Sequence, residues 1–153
     1  MKIAMSEHQA TISWDRGSDE FSYEAYSRDH TWEFENGVKI EASAAPGFRG
    51  SVENVDPEEA YVAALSSCHM LTFLAIAARK RLVVDSYTDS AVGTLEKNEA
   101  GKLAITRVIL RPKVSFSQEA CPSSEGLERL HHLAHTECFI ANSVHTSISV
   151  EDG

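Results

Sequence analysis

The sequence predicts an α+β fold, and three observations support this prediction. The first third of the chain is rich in segments with strand character, a long helix occupies the middle, and strands surround a second, shorter helix in the last third. A chain of 153 residues is large enough to bury a core of its own. Neither an internal repeat nor a linker divides it, so a single domain spanning residues 1–153 is expected.

The first third contains four segments with strand character, at residues 10–15, 21–28, 31–34 and 38–42. Period-two alternation, which is typical of a half-buried strand, is clearest in the first segment, where Ala10, Ile12 and Trp14 alternate with polar residues. Asn36-Gly37 comes directly before the fourth segment, and this dipeptide favours a tight hairpin turn. The region therefore predicts a small antiparallel sheet.

The central helix has the clearest start signal in the chain. Asp56 is a good N-cap, Pro57 suits the first helical position, and Glu59 completes a capping box. The helix is expected to end at about Leu82, and its interior is apolar on every face, whereas a surface helix of a small domain has a polar face. His69 at its centre and the acidic start argue against a membrane span. We therefore expect a second copy to cover the helix in an obligate homodimer.

The second half predicts two long strands, a shorter helix and a closing strand, at residues 83–96, 104–116, 124–138 and 144–150 in that order. Pro112 lies inside the second long strand, and proline is confined to edges, strand starts and bulges of sheets. An edge or a bulge is therefore expected at this position.

The bulk composition excludes several classes of function. A formal net charge of −9 argues against a nucleic-acid partner, which selects clustered Lys and Arg. The first residues lack the apolar core of a secretory signal, so a cytoplasmic protein without a membrane partner is expected. Three cysteines in such a chain indicate free thiols rather than a disulfide framework.

The cysteines and histidines leave alternatives open when only the residues are considered. Cys68 lies within the apolar helix, where a small buried hydrophobe is the commoner role, and Cys138 at the end of the second helix is equally ambiguous. Cys121 is expected to lie exposed in a loop. His131, His135 and Cys138 share one helix face, a spacing that can hold a metal, but a packed or solvated histidine face is favoured because no further ligand has a matched spacing.

Three segments together resemble the OsmC/Ohr family (osmotically inducible protein C and organic hydroperoxide resistance proteins). These segments are Asp56-Pro57-Glu58-Glu59 followed by Ala63-Ala64-Leu65-Ser66-Ser67-Cys68, the run from Phe73 to Lys80, and Ala134-His135-Thr136-Glu137-Cys138 with Asn142-Ser143. The resemblance extends from about Ala10 to Glu151. It implies an OsmC-like fold, in which antiparallel sheets surround a long buried central helix in an intertwined homodimer.

The resemblance also implies a thiol peroxidase that reduces organic hydroperoxides without a cofactor or a metal. Cys68 would become a sulfenic acid and condense with Cys138 to a disulfide, which a dithiol reductant of the lipoyl type would reduce. Arg28 matches the arginine that holds the thiolate, with Arg49 as the second choice. Glu58 matches the glutamate that orients this arginine. Glu58 and Cys68 are ten residues apart, or about 15 Å on a straight helix. Either the start of the helix bends or Glu58 serves Cys68 of the other subunit, and the second arrangement is natural in a two-fold dimer.

Two positions depart from the pattern of the family. Phe139 follows Cys138 where the better-known members have Pro, and His69 replaces the usual aromatic residue after the first cysteine.

The first alternative to the peroxidase is an OsmC-fold binding protein for a small hydrophobic ligand, without peroxidase turnover. The second alternative is a metal site built from His131, His135 and a cysteine.

Overall fold

The computed structural model describes residues 5–152 and confirms the α+β fold class. These residues contain eight strands, two α-helices and three short 3₁₀ helices. The chain forms two compact units, one that ends at Ala60 and one that begins at Tyr61. The single-domain expectation stays a prediction.

The first unit contains a three-stranded antiparallel sheet made of β1 (Ala10–Ser13), β2 (His30–Phe34) and β3 (Lys39–Ala42), paired in that order. The hairpin between β2 and β3 is confirmed, because the Gly37 amide donates to the Phe34 carbonyl at 2.9 Å. Gly37 has a φ of +82°, which only glycine adopts without strain. Strand β1 is exposed on both faces, so the half-buried strand expected from its alternation is not found.

The strand predicted at residues 21–28 is wrong. This segment turns back on itself, and the amides of Ala25 and Tyr26 both donate to the Ser22 carbonyl at 3.1 Å. The rings of Phe21 and Tyr26 pack against Trp14, with centroids 5.9 and 6.1 Å from the Trp14 ring. The aromatic residues that gave the segment its strand character therefore form a side-chain cluster instead of pairing in the sheet.

The central helix α1 spans Pro57–Arg79. Its predicted N-cap is confirmed, because the Glu59 amide donates to the Asp56 carboxylate at 2.8 Å. The helix ends three residues before the expected Leu82. Arg81 takes a left-handed conformation with a φ of +61°, and the Leu82 amide donates back to the Ala77 carbonyl at 3.0 Å, the pattern of a left-handed helix stop.

Helix α1 buries one stripe of side chains in this chain. Four residues at a spacing of four are buried, namely Leu65, His69, Phe73 and Ala77. Another stripe at the same spacing is exposed and made of small or apolar residues, namely Ala63, Ser67, Leu71 and Ala75. The all-round apolar character that the sequence shows is therefore covered on one side only within this chain.

Among residues 5–152, α1 is also the one helix whose length and composition would let it cross a membrane. Its most apolar window has a mean hydropathy of 1.6, and 22% of that window is buried. One such helix is a weak indication of a membrane span, because the core helices of soluble proteins meet the same criteria.

The strands of the second unit are β4 (Val84–Asp89), β5 (Val92–Lys97), β6 (Leu103–Leu110), β7 (Pro112–Phe116) and β8 (Ser147–Val150). Strands β4 and β7 pair antiparallel, while β6 pairs antiparallel with β5 and parallel with β8. Each of the two predicted long strands therefore divides between two sheets. The second one breaks at Arg111, whose amide donates to the Asp89 carboxylate at 2.6 Å, and Pro112 then starts β7, where its missing N–H is tolerated.

The second helix, α2, spans Ser124–Glu137, and Cys138 is its C-cap. This agrees with the predicted helix at residues 124–138. Phe73 and Ala77 of α1 form one buried cluster with Leu130 and Ala134 of α2. A second cluster joins Leu65 to two residues of β6, Val108 and Leu110. Helix α1 is thus packed against α2 and against a sheet, and Cys68 lies between the α1 residues of the two clusters.

Candidate active site

The structure brings Cys68 and Cys138 together. Cys68 lies in the middle of α1, and Cys138 lies seventy residues later in the chain at the end of α2. Both are free thiols, and Cys68 lies close enough to raise the pKa of Cys138. Cys138 is only 1% exposed, whereas Cys68 is half-buried. A reagent from solution therefore reaches Cys68 more easily than Cys138.

The surroundings of Cys138 favour its neutral thiol. Burial raises the pKa of Cys138, the backbone amide of Ala141 opposes this effect, and the neighbouring Cys68 raises it further. A thiol with a raised pKa is a poor first nucleophile near neutral pH, because the thiolate is the reactive form. The asymmetry suits Cys138 to the second step of a two-thiol reaction.

The third cysteine, Cys121, is exposed as expected, and its thiol donates to the Pro122 carbonyl at 3.4 Å. It follows a short 3₁₀ helix at residues 118–120. Cys121 is therefore the natural control position for experiments on the other two cysteines.

Arg28 is held by groups of the first unit. Its guanidinium donates to the carbonyls of Tyr26 and Tyr23 at 2.5 and 2.6 Å and lies 3.6 Å from the centre of the Tyr26 ring. Arg49 lies 5.4 Å from the centre of the Tyr23 ring, and Glu58 occupies the first turn of α1. The two cysteines belong to the second unit, so the predicted roles of Arg28, Arg49 and Glu58 stay predictions.

An apolar pocket of about 430 Å³ lies beside Arg28 within the first unit. Trp14, Phe21 and Tyr26 form its aromatic wall, and His30 adds a polar group. Nδ1 of His30 lies 2.8 Å from the Arg28 carbonyl, and its Nε2 accepts from Trp32 at 2.9 Å. A carbonyl can only accept, so Nδ1 of His30 is the donor in the first of these hydrogen bonds. Sequence reasoning missed this pocket because it interpreted residues 21–28 as a strand.

A buried pair of histidines joins α1 to α2. Nε2 of His69 lies 3.1 Å from Nδ1 of His131, and the ring of Phe73 stacks on His131 with centroids 4.5 Å apart. The pKa of His69 is lowered from 6.5 to about 4, mainly by burial and in addition by the neighbouring His131 and His135, while Asp89 opposes the shift. Burial likewise lowers the pKa of His131. Both imidazoles are therefore neutral at neutral pH.

The environment of the pair indicates which nitrogen carries each proton. Nδ1 of His69 is buried and has no hydrogen-bond partner among residues 5–152. An orphaned buried N–H is rarer in proteins than an under-used acceptor. We therefore assign the proton of His69 to Nε2, which donates to Nδ1 of His131. This leaves His131 with its own proton on Nε2.

The alternative of a metal site built from His131, His135 and a cysteine finds no support in the described part of the chain, which contains no group of three or more His, Cys, Asp or Glu side chains arranged to hold a metal ion. His131 and His135 do lie one turn apart on α2, as their spacing predicted. However, Nδ1 of His131 is engaged by His69. The sequence contained one weak indication of the contact between His69 and His131, namely that His69 replaces the aromatic residue expected after the first cysteine.

Comparison with known proteins supports the resemblance seen in the sequence. The model of a family described as OsmC-like protein matches residues 50–151 of the chain. The chain is also similar to the structure of an OsmC-like protein of unknown function from Vibrio cholerae, with 56% sequence identity and a TM-score of 0.92. That match covers 97% of this chain and 100% of the other.

More distant structures share the fold. An organic hydroperoxide resistance protein from Elizabethkingia anophelis matches with a TM-score of 0.72 and 17% identity, covering 98% of this chain and 99% of that one. The organic hydroperoxide resistance protein OhrB of Bacillus subtilis matches with a TM-score of 0.69 and 16% identity, covering 98% and 100%. No curated protein matches the chain. At these identities the likeness shows the fold alone.

Proposed function

Because this chain belongs to the OsmC-like protein family, we propose that it is a thiol-dependent peroxidase that reduces organic hydroperoxides. The observation that carries the proposal is the proximity of Cys68, within the central helix, to Cys138 at the end of the second helix, which is close enough for Cys68 to raise the pKa of Cys138. The names of the Elizabethkingia anophelis and Bacillus subtilis proteins, which share the fold, support the choice of substrate.

In the first proposed step, the Cys68 thiolate attacks the O–O bond of the hydroperoxide. A sulfur–oxygen bond forms, the O–O bond breaks, and the departing alkoxide takes a proton to become an alcohol. Cys68 is oxidised by two electrons to a sulfenic acid. Arg28 is the proposed cation that holds the thiolate, with Arg49 as the second choice, and Glu58 orients the guanidinium.

In the second proposed step, the sulfur of Cys138 attacks the Cys68 sulfenic acid. A disulfide forms, and the hydroxyl group leaves as water with the proton that the Cys138 thiol gives up. Cys68 lies close enough to Cys138 to affect the pKa of its thiol, and this proximity supports the pairing of the two sulfurs. A dithiol reductant, for which we propose the lipoyl type, then regenerates both thiols by exchange.

A peroxide-consumption assay tests the proposal. The reduced protein, mixed with cumene hydroperoxide and dihydrolipoamide, should consume the peroxide catalytically, with each equivalent appearing as cumyl alcohol. Mass spectrometry after a single addition without reductant should find the Cys68–Cys138 disulfide. If the protein consumes no peroxide and forms neither a sulfenic acid nor a disulfide, the proposal is wrong.

The second candidate is a binding protein for a small hydrophobic ligand, and the aromatic pocket beside Arg28 favours it. The pocket is mainly apolar, and its volume of about 430 Å³ lies within the usual range of small-molecule sites. A hydrophobic ligand that binds equally well to the wild type and to a Cys68→Ser variant, in a protein without peroxide turnover, would favour this candidate.

A further inference from the structure

A second cleft lies in the second unit, between α2 and the end of the chain. It has a volume of about 710 Å³, and neither Cys68 nor Cys138 lines it. His131, His132 and His135 of α2 line one side, and Ile148 and Val150 of β8 line the other. A cleft of this size can hold a small organic molecule. It shares no lining residue with the aromatic pocket of the first unit.

The polar group that is most deeply placed in this cleft is His131, which is only 9% exposed. Its Nδ1 is engaged by His69 at 3.1 Å. Its Nε2 has no hydrogen-bond partner among the described residues. This atom is not one of the fully buried polar atoms that lack a partner, so it is not closed off by protein atoms. With the proton assignment made above, this nitrogen presents an N–H. The cleft therefore offers a fixed donor, which selects a hydrogen-bond acceptor such as an amide carbonyl.

The wall of the cleft is apolar. Leu127, Ile148 and Val150 are partly buried members of the two hydrophobic clusters, and Pro112 beside them is buried. Apolar surface of this kind gains free energy when a hydrocarbon chain displaces water from it. A ligand with an aliphatic body fits this wall better than a compact polar ligand.

Three exposed acidic residues also line the cleft. Glu128, Glu151 and Asp152 line it, and neither Lys nor Arg is among its lining residues in the described chain. Glu151 pairs with Arg111 at 3.4 Å, whereas Glu128 and Asp152 have no ion-pair partner among residues 5–152. Two free carboxylates disfavour an anionic ligand and favour a cationic outer end.

From these three features we infer that the cleft binds an amphipathic amine, with a neutral hydrogen-bond acceptor against His131, an aliphatic body along the apolar wall, and an ammonium group near Glu128 and Asp152. This ligand class is unrelated to the peroxide chemistry of the thiols. Amine binding in the cleft and peroxide reduction by the thiols can therefore be tested independently of each other.

Calorimetric titration with 8-aminooctanamide as the probe tests this inference. The affinity should fall in the order 8-aminooctanamide, octanamide, octanoate, because octanamide lacks the ammonium group and octanoate adds a negative charge. His131→Phe keeps an aromatic ring but removes the donor, and it should weaken both amides about fivefold, the value of one neutral hydrogen bond. The exposed His145, which does not line the cleft, supplies the matched control His145→Phe.

A second variant keeps the test decisive if His131→Phe does not fold. Glu128→Gln combined with Asp152→Asn leaves the histidine pair intact. It should remove the preference for 8-aminooctanamide over octanamide while octanamide still binds. Octanoate binding as tightly as the amine, no binding of either amide, or an unchanged preference in the double variant would overturn the inference.

Discussion

At the scale of single residues, Cys68 and Cys138 differ in exposure and in the environment of the thiol. Cys68→Ser should abolish the consumption of an organic hydroperoxide, because it removes the sulfur that a peroxide reaches first. Cys138→Ser should allow one turnover and leave a sulfenic acid on Cys68, which dimedone traps and excess peroxide overoxidises. Cys121→Ser should behave as the wild type. A Cys68–Cys121 disulfide in the oxidised protein would show that the second cysteine was wrongly assigned.

The assignment of the cation is a second prediction at this scale. Arg28→Ala should slow the reaction with peroxide by about tenfold or more, because loss of a nearby positive charge raises the pKa of a cysteine thiol. The pH dependence of iodoacetamide alkylation in a protein that keeps Cys68 as its single cysteine measures this directly. Arg28→Lys keeps the charge and should lose less activity. If Arg49→Ala shifts the profile and Arg28→Ala does not, Arg49 is the cation.

The proximity of the two cysteines could not be predicted from local sequence rules. The capping interaction of Asp56 with Glu59 joins residues three apart, so local sequence predicts it. Cys68 and Cys138 are seventy residues apart, and no spacing rule connects them; only the resemblance to a family paired them. His69 and His131 are joined by a hydrogen bond across sixty-two residues, and no pattern in the sequence predicted that contact.

At the scale of elements, the errors of sequence reasoning have a common physical origin. Alternation of apolar residues indicates a strand but does not show where the strand leaves one sheet for another. The predicted strand at 104–116 is interrupted at Arg111, because the Arg111 amide donates a hydrogen bond to the carboxylate of Asp89 instead of to a neighbouring strand. The predicted strand at 21–28 was lost because Phe21 and Tyr26 pack on Trp14. Tertiary contacts of this kind override local propensity.

The histidine pair between α1 and α2 predicts how stability depends on pH. The folded state lowers the pKa of His69 from 6.5 to about 4, so the unfolded state binds more protons between these values. The contribution of neutral His69 to the free energy of unfolding is therefore fully present above about pH 6.5. It decreases by roughly 3 kcal/mol as the pH drops towards 4. Urea unfolding between about pH 7.5 and 5 should show this loss.

The variant His69→Phe isolates this contribution. It removes the group whose pKa is lowered, so the loss of stability between about pH 6.5 and 5 should be smaller than in the wild type. His145→Phe removes an exposed histidine and should leave the wild-type slope. Carboxylates protonate mainly below this window, so the difference between the two variants reports on the buried pair. Equal slopes in both variants would show that the pair does not resist protonation.

At the scale of the whole molecule, the exposed stripe of α1 predicts a homodimer. Ala63, Ser67, Leu71 and Ala75 form a ridge of small or apolar side chains at a spacing of four, which is the ridge that helices use to pack closely against each other. Leu71, a large apolar residue in the middle of the helix, is 60% exposed. A second copy of the chain would bury this ridge, and small side chains would let the two helices approach closely.

Substitution within this ridge provides the decisive measurement. The wild type should sediment as a dimer at low micromolar concentration, without a folded monomer at equilibrium. Leu71→Lys should shift the protein to monomer or to unfolded chain, because a buried unpaired ammonium group is costly. Leu103 is equally exposed at 59% but lies on β6, so Leu103→Lys should remain dimeric. A compact, folded wild-type monomer would contradict the prediction, and a dimer dissociated by Leu103→Lys but not by Leu71→Lys would place the interface elsewhere.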